Sequence, residues 1–455
     1  MGKERVLKMT APANALRRIG AVALLCLRTA LRSRIVLSLL LLLLLVLGVL
    51  PPLTQGDGTP AGEWRVSIAY PLTAAIVVLG FATLWAGCAV FAGEINAGRL
   101  QLTRIQPIRP LEIWLGHWLG LLLLNALLLT LVGVALAAWT PFRLDPELRK
   151  DPALRHPWET LKPDWVDPAH AARQVVARWR AEGRFDAEVP DRELFREAVR
   201  LLHAHYPLAG GETLVFPFVL NRPLDAGVGS LNGSLDLRAG TPMRRDLVGH
   251  LTVRDPDTDR SVTQAFDTRV LGHQETFRID AAPLTGARRL EVSIHSGNDP
   301  EAPSVLVGRE ALTLRLPRGH HALNALRAAF ALLGLLALLT AVGLAFGAVF
   351  SFPVAAFCAS VTLVVVLLSR FVASQGFWWE DDSPSGLTRL THGVVRAVTL
   401  LTAPLHADAP IARFATAEWI PGAALRRAGL LRLGVYPAVL GALAAMALKR
   451  REVGR

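Results

Sequence analysis

The chain has 455 residues, 52% of them hydrophobic, and 49 Lys and Arg against 37 Asp and Glu give a formal charge of +12. Its apolar residues stand in long charge-free runs, which excludes an ordinary soluble enzyme and predicts a membrane bundle with room for one soluble domain. The basic surplus would suit nucleic acid, but it gathers beside the apolar runs. Lys3, Arg5, Lys8, Arg17, Arg18, Arg28, Arg32 and Arg34 precede the first run, and Lys449, Arg450, Arg451 and Arg455 follow the last. Such clustering is the cytoplasmic bias of multi-pass proteins, so the expected surface partner is membrane lipid and not nucleic acid.

In chain order, residues 1–34 form a basic cytoplasmic segment in which 15–31 reads as an amphipathic helix lying along the membrane surface. Residues 35–53 are the first expected span, almost pure Leu and closed by Pro51 and Pro52. No cleavable signal peptide is expected, because this run starts late and ends in prolines without a small-residue cleavage site. A second span covers 66–93 and a third 113–139, so 35–139 holds three spans. In the second, Gly80, Gly87 and Gly93 would allow close helix contact.

Between spans two and three lies 94–112, where helical spacing puts Phe91, Ile95, Gly98, Leu102 and Ile105 on one stripe. Asn96, Thr103 and Arg104 fall opposite, and Pro107 and Pro110 end the helix by removing backbone donors. From periodicity alone this is a short amphipathic helix at the bilayer face with a rigid elbow, and an interfacial anchor describes it equally well.

Residues 140–320 are polar and form an extracytoplasmic α+β insertion. Its first part, 143–206, reads as helices broken by prolines, clearest at 169–181 and 191–205. From 212 to 316 the pattern turns to period two, with short strands at 214–220, 234–238, 250–254, 276–280, 290–295 and 312–316, as in a small sandwich. Phe216, Phe218, Leu235, Leu237, Phe277, Ile279, Val292, Ile294, Leu312 and Leu314 are its expected core. Cys26, Cys88 and Cys358 all lie in or beside apolar runs, so no disulfide is available to the insertion.

The charge-free run 328–369 is about two spans long, with Ser351, Phe352 and Pro353 as a tight inner turn, so spans four and five fill 321–372. A loop at 373–429 follows, with Trp378 and Trp379 as aromatic-belt residues and an interfacial helix at 387–405. The sixth span is 430–448, within a last segment 430–455 that ends in the basic tail. The expected fold is thus an α-helical bundle of six spans with both termini cytoplasmic.

The motifs of chemistry are missing. No G-x-x-x-x-G-K-[ST] loop, H-E-x-x-H or G-x-S-x-G occurs, so no catalytic residue or cofactor site is expected in this chain. His203 with His205, and His320 with His321, are pairs without Cys or acidic neighbours, a poor metal set. Glu94 and Glu112 bracket a loop, where carboxylates usually serve as caps or ion-pair partners.

At 94–117 the chain resembles the permease subunits of type-2 ABC exporters. The likeness rests on Glu94, Gly98-Arg99, the short helix 100–105, Pro107-Ile108-Arg109 and Gly116-His117, with His117 where that pattern usually has Lys. Near the C-terminus, Ala403-Pro404-Leu405, Arg413-Phe414, Gly422, Tyr436 and 448–452 resemble permeases grouped with multi-copper-enzyme maturation transporters. The likeness covers about residues 20–140 and 322–455 and leaves the insertion unexplained. It implies that 94–112 is a coupling helix docking on a cytoplasmic ATPase subunit, through Glu94, Arg99, Leu100, Arg104, Pro107 and Arg109. It also implies ATP bound by that partner, and a second permease copy or homologue beside this one in a bacterial inner membrane. The alternative expectation is a non-transporting anchor whose outer domain recruits a partner.

Overall fold

The computed structural model describes residues 2–54, 60–96, 109–143, 156–163, parts of 172–180, 189–208, 210–225, 228–239, 247–268, 274–297, 305–374 and 408–453, with isolated positions 183, 393 and 396. It comprises two compact units: one of helices, from Met1–Pro157 and Gly319–Arg455, and one of sheets, Trp158–Arg318.

The helical unit begins with α1 (Gly2–Leu31) and α2 (Arg34–Leu53). The break between them is set by Ser33, whose hydroxyl accepts from Val36 N at 3.2 Å and caps α2. Helix α3 (Pro60–Asn96) and α4 (Pro110–Arg143) flank the expected elbow. After the sheet unit come α5's successors in the bundle; α5 itself (Asp191–Ala204) belongs to the sheet unit. These are α6 (His321–Val349), α7 (Phe352–Ser374) and the short α8 (Pro410–Ala415). The last helix starts as α9 (Gly422–Arg427), widens into a π-helical stretch at Ala428–Val435 and ends as α10 (Tyr436–Val453).

Five helices are long and apolar enough to cross a bilayer: Arg34–Leu53, Gly62–Gly93, Pro110–Trp139, His321–Val349 and Gly422–Arg450. The chain is a multi-pass membrane protein by that measure. Among the described residues five of the six expected spans meet that measure, and the remaining one, in α7, has a shorter apolar stretch, Phe352–Val366. The tight turn at 351–353 is where it was expected, with α6 ending at Val349 and α7 starting at Phe352. The last span starts earlier than expected, so 422–429 is helix and not loop. The expected helix at 387–405, and Trp378 and Trp379, lie outside the described residues apart from positions 393 and 396, both helical.

Close backbone approach organises the bundle. A Cβ on Gly343 would stand 2.3 Å from Leu84 O, one on Gly347 2.6 Å from Cys88 O, and one on Gly87 3.0 Å from Leu344 N. Helices α3 and α6 thus cross through a small-residue seam in which only hydrogen fits. Gly80 also faces α6, at Leu339, whereas nothing stands near Gly93. Trp114 of α4 is fully buried and lies over Gly441 of α10. Its neighbour Trp118 stacks on it at 6.4 Å between centroids and donates from Nε1 to Ala337 O of α6 at 2.9 Å.

The sheet unit is an antiparallel sandwich. One sheet has the order β1 (Trp158–Leu161), β9 (Val305–Pro317), β4 (Ser230–Ala239), β7 (Gln274–Asp280), with β2 (His205–Leu208) also on β9. The other runs β3 (Thr213–Val219), β8 (Arg289–Ser296), β5 (Leu247–Arg254), β6 (Ser261–Thr268). Six strands fall where alternation predicts them. Strands β1, β2 and β6 were not expected, and β1 and β2 stand in the part read as helical. Phe216, Phe218, Val292 and Ile294 of one sheet meet Leu235, Ile279, Leu312 and Leu314 of the other in one core. Of the remaining core candidates, Phe277 is half-buried over Gly233, its register partner, and the side chain of Leu237 lies outside the described residues. The unit's first and last strands are direct partners, with Trp158 opposite Pro317 and Leu161 opposite Leu314. Glu159 also pairs with Arg318 and accepts from Asn221 Nδ2 at 3.3 Å. Helix α5 packs Leu194 and Ala198 on Ala172 and Trp179.

Candidate functional site

Of the six residues expected to meet an ATPase, Arg99, Leu100, Arg104 and Pro107 lie outside the described residues, and of Glu94 only its place in the last turn of α3 is described. Arg109 is exposed just before α4. Pro110 opens that helix, where a missing N–H costs nothing and its fixed φ suits a first turn. The structure describes how the far end of the elbow is fastened. Glu112, in the first turn of α4, accepts from Arg109 N at 3.3 Å, satisfying a donor the helix leaves unused. The same carboxylate accepts Arg18 Nε at 2.9 Å and Nη2 at 2.8 Å, a two-pronged ion pair from α1. The Glu112 hydrogen bond holds Arg18 above its ordinary pKa.

Helix α1 follows α4 lengthwise from that point. A Cβ on Gly116 would come within 2.6 Å of Val22, and one on Gly120 within 2.8 Å of Ala23 O and Cys26 Cβ. Each step of four residues on α4 meets a step of about four on α1, so the helices run parallel. Sequence periodicity showed α1 as amphipathic along the membrane surface; the structure instead lays Val22, Ala23 and Cys26 along α4 and leaves Leu16, Leu24, Leu25 and Leu31 exposed. His117, where the related pattern has Lys, is 7% exposed, its Nδ1 lies 2.9 Å from Ile113 O and its ring 5.3 Å from Phe91. It packs inside the bundle.

Deeper between the spans is a polar node. Thr83 of α3 donates to Asn125 Oδ1 of α4 at 2.7 Å, and Asn125 Nδ2 reaches Thr340 Oγ1 of α6 at 3.5 Å. Thr340 in turn donates to Leu336 O at 2.8 Å. All three side chains are buried, and together they tie three candidate spans at one level.

A second polar cluster was not foreseen. Arg432, in the π-helical stretch of the last span, is 1% exposed and donates from Nη2 to Asp408 Oδ2 at 3.0 Å. Arg427 donates from Nε to the other oxygen at 2.9 Å, so one buried carboxylate holds two guanidiniums. The wider turn shifts the register of side chains around the helix by one residue, and such insertions recur at functional sites. The signal available in the sequence was Arg432 itself, a charge at the mouth of an apolar run. Nearby, Asn324 of α6 is fully buried, accepting from Ile420 N and donating to Glu418 O, both at 3.0 Å. Arg327 adds a bond to Ile420 O at 2.9 Å and lies over the Trp419 ring. These contacts clamp 418–420 to the start of α6.

For the histidine pairs, His203 lies in the last turn of α5 and His205 starts β2, while His320 faces His156 and His321 faces Trp64. Among the described residues no three His, Cys, Asp or Glu side chains come together in a way that could hold a metal ion. No family model, no curated protein and no solved structure matches the chain.

Proposed function

We propose that this chain is the permease subunit of an ATP-binding-cassette exporter, driven by a separate cytoplasmic ATPase that binds the ATP. The observation that carries the reading is how the two ends of the expected coupling segment 94–112 are mounted. It joins α3 and α4, which the Thr83–Asn125–Thr340 node ties to α6, and its exit is pinned by Glu112 to Arg18. A push on such an elbow moves several helices as a block, which is what alternating access by rigid rocking requires. Glu94, Arg99, Leu100, Arg104, Pro107 and Arg109 are the residues proposed to meet the ATPase.

In this reading α7 is the sixth crossing. Its 23 residues reach about 35 Å, enough for a hydrocarbon layer of ~30 Å. Six crossings put both basic termini on the cytoplasmic side and the sheet unit outside. The subunit pairs with a second copy or a homologue. The second reading, a membrane anchor that recruits a partner through its outer domain, is favoured by the self-contained core of the sheet unit.

The test is co-purification of the ATPase with wild type, Arg99→Glu, Arg104→Glu and, as control, Arg254→Glu in the sheet unit. Both elbow reversals should weaken ATPase binding or abolish stimulated hydrolysis in lipid, and the control should not. An elbow that tolerates both reversals, or a wild type that retains no ATPase, would end the transport reading.

A further inference from the structure

Strand register sets two histidines side by side on the sandwich. In the sheet β3–β8–β5–β6, one row crosses all four strands as Thr213, His295, His250 and Ala265. Ile294 and Leu251, the chain neighbours of the two histidines, are buried in the core. Alternation therefore turns the row to the face away from the core, where His250 is exposed and His295 half-buried. The histidine pairs visible in the sequence are neighbours along the chain. These two belong to different strands, and the pairing of β5 with β8 makes them partners.

Direct cross-strand partners have Cβ atoms about 4.5–5.5 Å apart. Two imidazole nitrogens on one tetrahedral ion, each at about 2.0–2.1 Å, stand about 3.3 Å from each other. Rings leaning toward each other from adjacent strands close that difference. The strands are also drawn together here: a Cβ on Gly249, next to His250, would stand 2.2 Å from His295 O, so no larger residue fits. On its other side His250 faces only the methyl of Ala265. Thr213 steers the second ring, its hydroxyl 2.9 Å from His295 Nδ1. With Nδ1–H donating to that oxygen, Nε2 keeps its lone pair for a metal. Metal-ligating histidines are commonly held by such an outer partner.

We propose that His250 and His295 form a two-histidine site for an exchangeable, borderline divalent ion of the Zn2+ and Ni2+ class on this face of the sandwich. Imidazole selects that class over Mg2+ and Ca2+, which take oxygen ligands. A closed structural site has four protein ligands. Here two are supplied, and the other positions go to water or to donor groups of a bound molecule, so the ion comes and goes without unfolding the sandwich.

The experiment uses the full chain in detergent, purified without a histidine tag, and titrates it with Ni2+, Zn2+ and Mg2+ by calorimetry. Wild type should bind one Ni2+ or Zn2+ per chain at its tightest site, and Mg2+ should not compete. His250→Gln and His295→Gln should each weaken that site about a hundredfold, because chelation needs both rings. Thr213→Val should weaken it about tenfold, the usual size for an outer partner. The control is His320→Gln, which removes the ring standing 6.2 Å from His156, and it should bind as wild type. A second measurement needs no variant. Diethyl pyrocarbonate labelling of wild type, read by mass spectrometry, should be slowed by Ni2+ at both His250 and His295. A wild type that binds no more tightly than either single variant, an equal loss in His320→Gln, or labelling of the pair unaffected by Ni2+ would each overturn the site. None of these readouts involves an ATPase, so their outcome is separate from that of the transport test.

Discussion

Arg18 and Glu112 stand 94 residues apart in the chain and meet in two parallel hydrogen bonds of 2.9 and 2.8 Å. The pair joins the N-terminal helix to the first turn of α4, so a charge reversal at either position sets like charges against each other there. Arg18→Glu and Glu112→Arg should each lower the melting temperature of the purified protein and, on the proposed transport function, the stimulation of a partner ATPase. The double exchange should recover a good part of both. A double-mutant cycle with no interaction between the two positions would show that the pair is incidental.

The α3–α6 seam predicts a contrast between glycines. Gly343→Ala or Gly347→Ala forces Cβ into a backbone carbonyl of α3 and should cost about 1–3 kcal/mol, read as a lower melting temperature in detergent. Gly133→Ala, with nothing within 4 Å of the added carbon, should be neutral or mildly stabilising. Equal effects at all three would refute the close crossing.

The Asp408 carboxylate predicts asymmetric losses. Asp408→Ala leaves Arg432 buried without its counter-charge and should destabilise by roughly 3–5 kcal/mol. Arg432→Met combined with Asp408→Asn should recover much of that, since an apolar replacement of a buried pair is often tolerated. Unfolding in nanodiscs, followed by Trp fluorescence, measures both. A double variant as unstable as Asp408→Ala would mean that the carboxylate matters for more than its charge.

The sheet unit predicts that residues 158–318 fold alone. Expressed separately, they should give a β-rich circular dichroism spectrum and one cooperative melt. A shorter piece, 210–318, lacks β1 and β2 from the sheet that β9 centres and should melt lower. A disordered long piece would show that the sandwich depends on the bundle.

What could be read from the residues follows their physics. Apolar runs revealed the helices α2, α3, α4 and α6, and alternation revealed the strands with apolar residues on one face, such as β8 with Val292 and Ile294. Strand β6 escaped because Ser261–Thr268 puts only Val262 and Phe266 against the core, with the polar Gln264 between them. Strands β1 and β2 escaped because four residues carry no period, and partnership with β9 creates them. The Gly343-x-x-x-Gly347 spacing stands in the sequence, but its pairing with Gly87 exists only in the fold, because the two segments are far apart in the chain. The Asp408–Arg432 pair could not be read locally, since the two residues lie 24 apart across a turn of chain and a π-helical stretch sets their alignment.

Trp158 opposite Pro317 means that the chain enters and leaves the sandwich a strand's width apart, about 5 Å. On the helical side, His156 Nδ1 is 3.1 Å from Gly319 O, so the two cut ends of the bundle also lie side by side. A module attached in this way resembles a charm on a clasp. It can be removed and its stump closed with a few flexible residues, and a different domain with adjoining ends can be fitted in its place. The helical bundle can then stay constant through descent while the inserted domain changes from one lineage to the next.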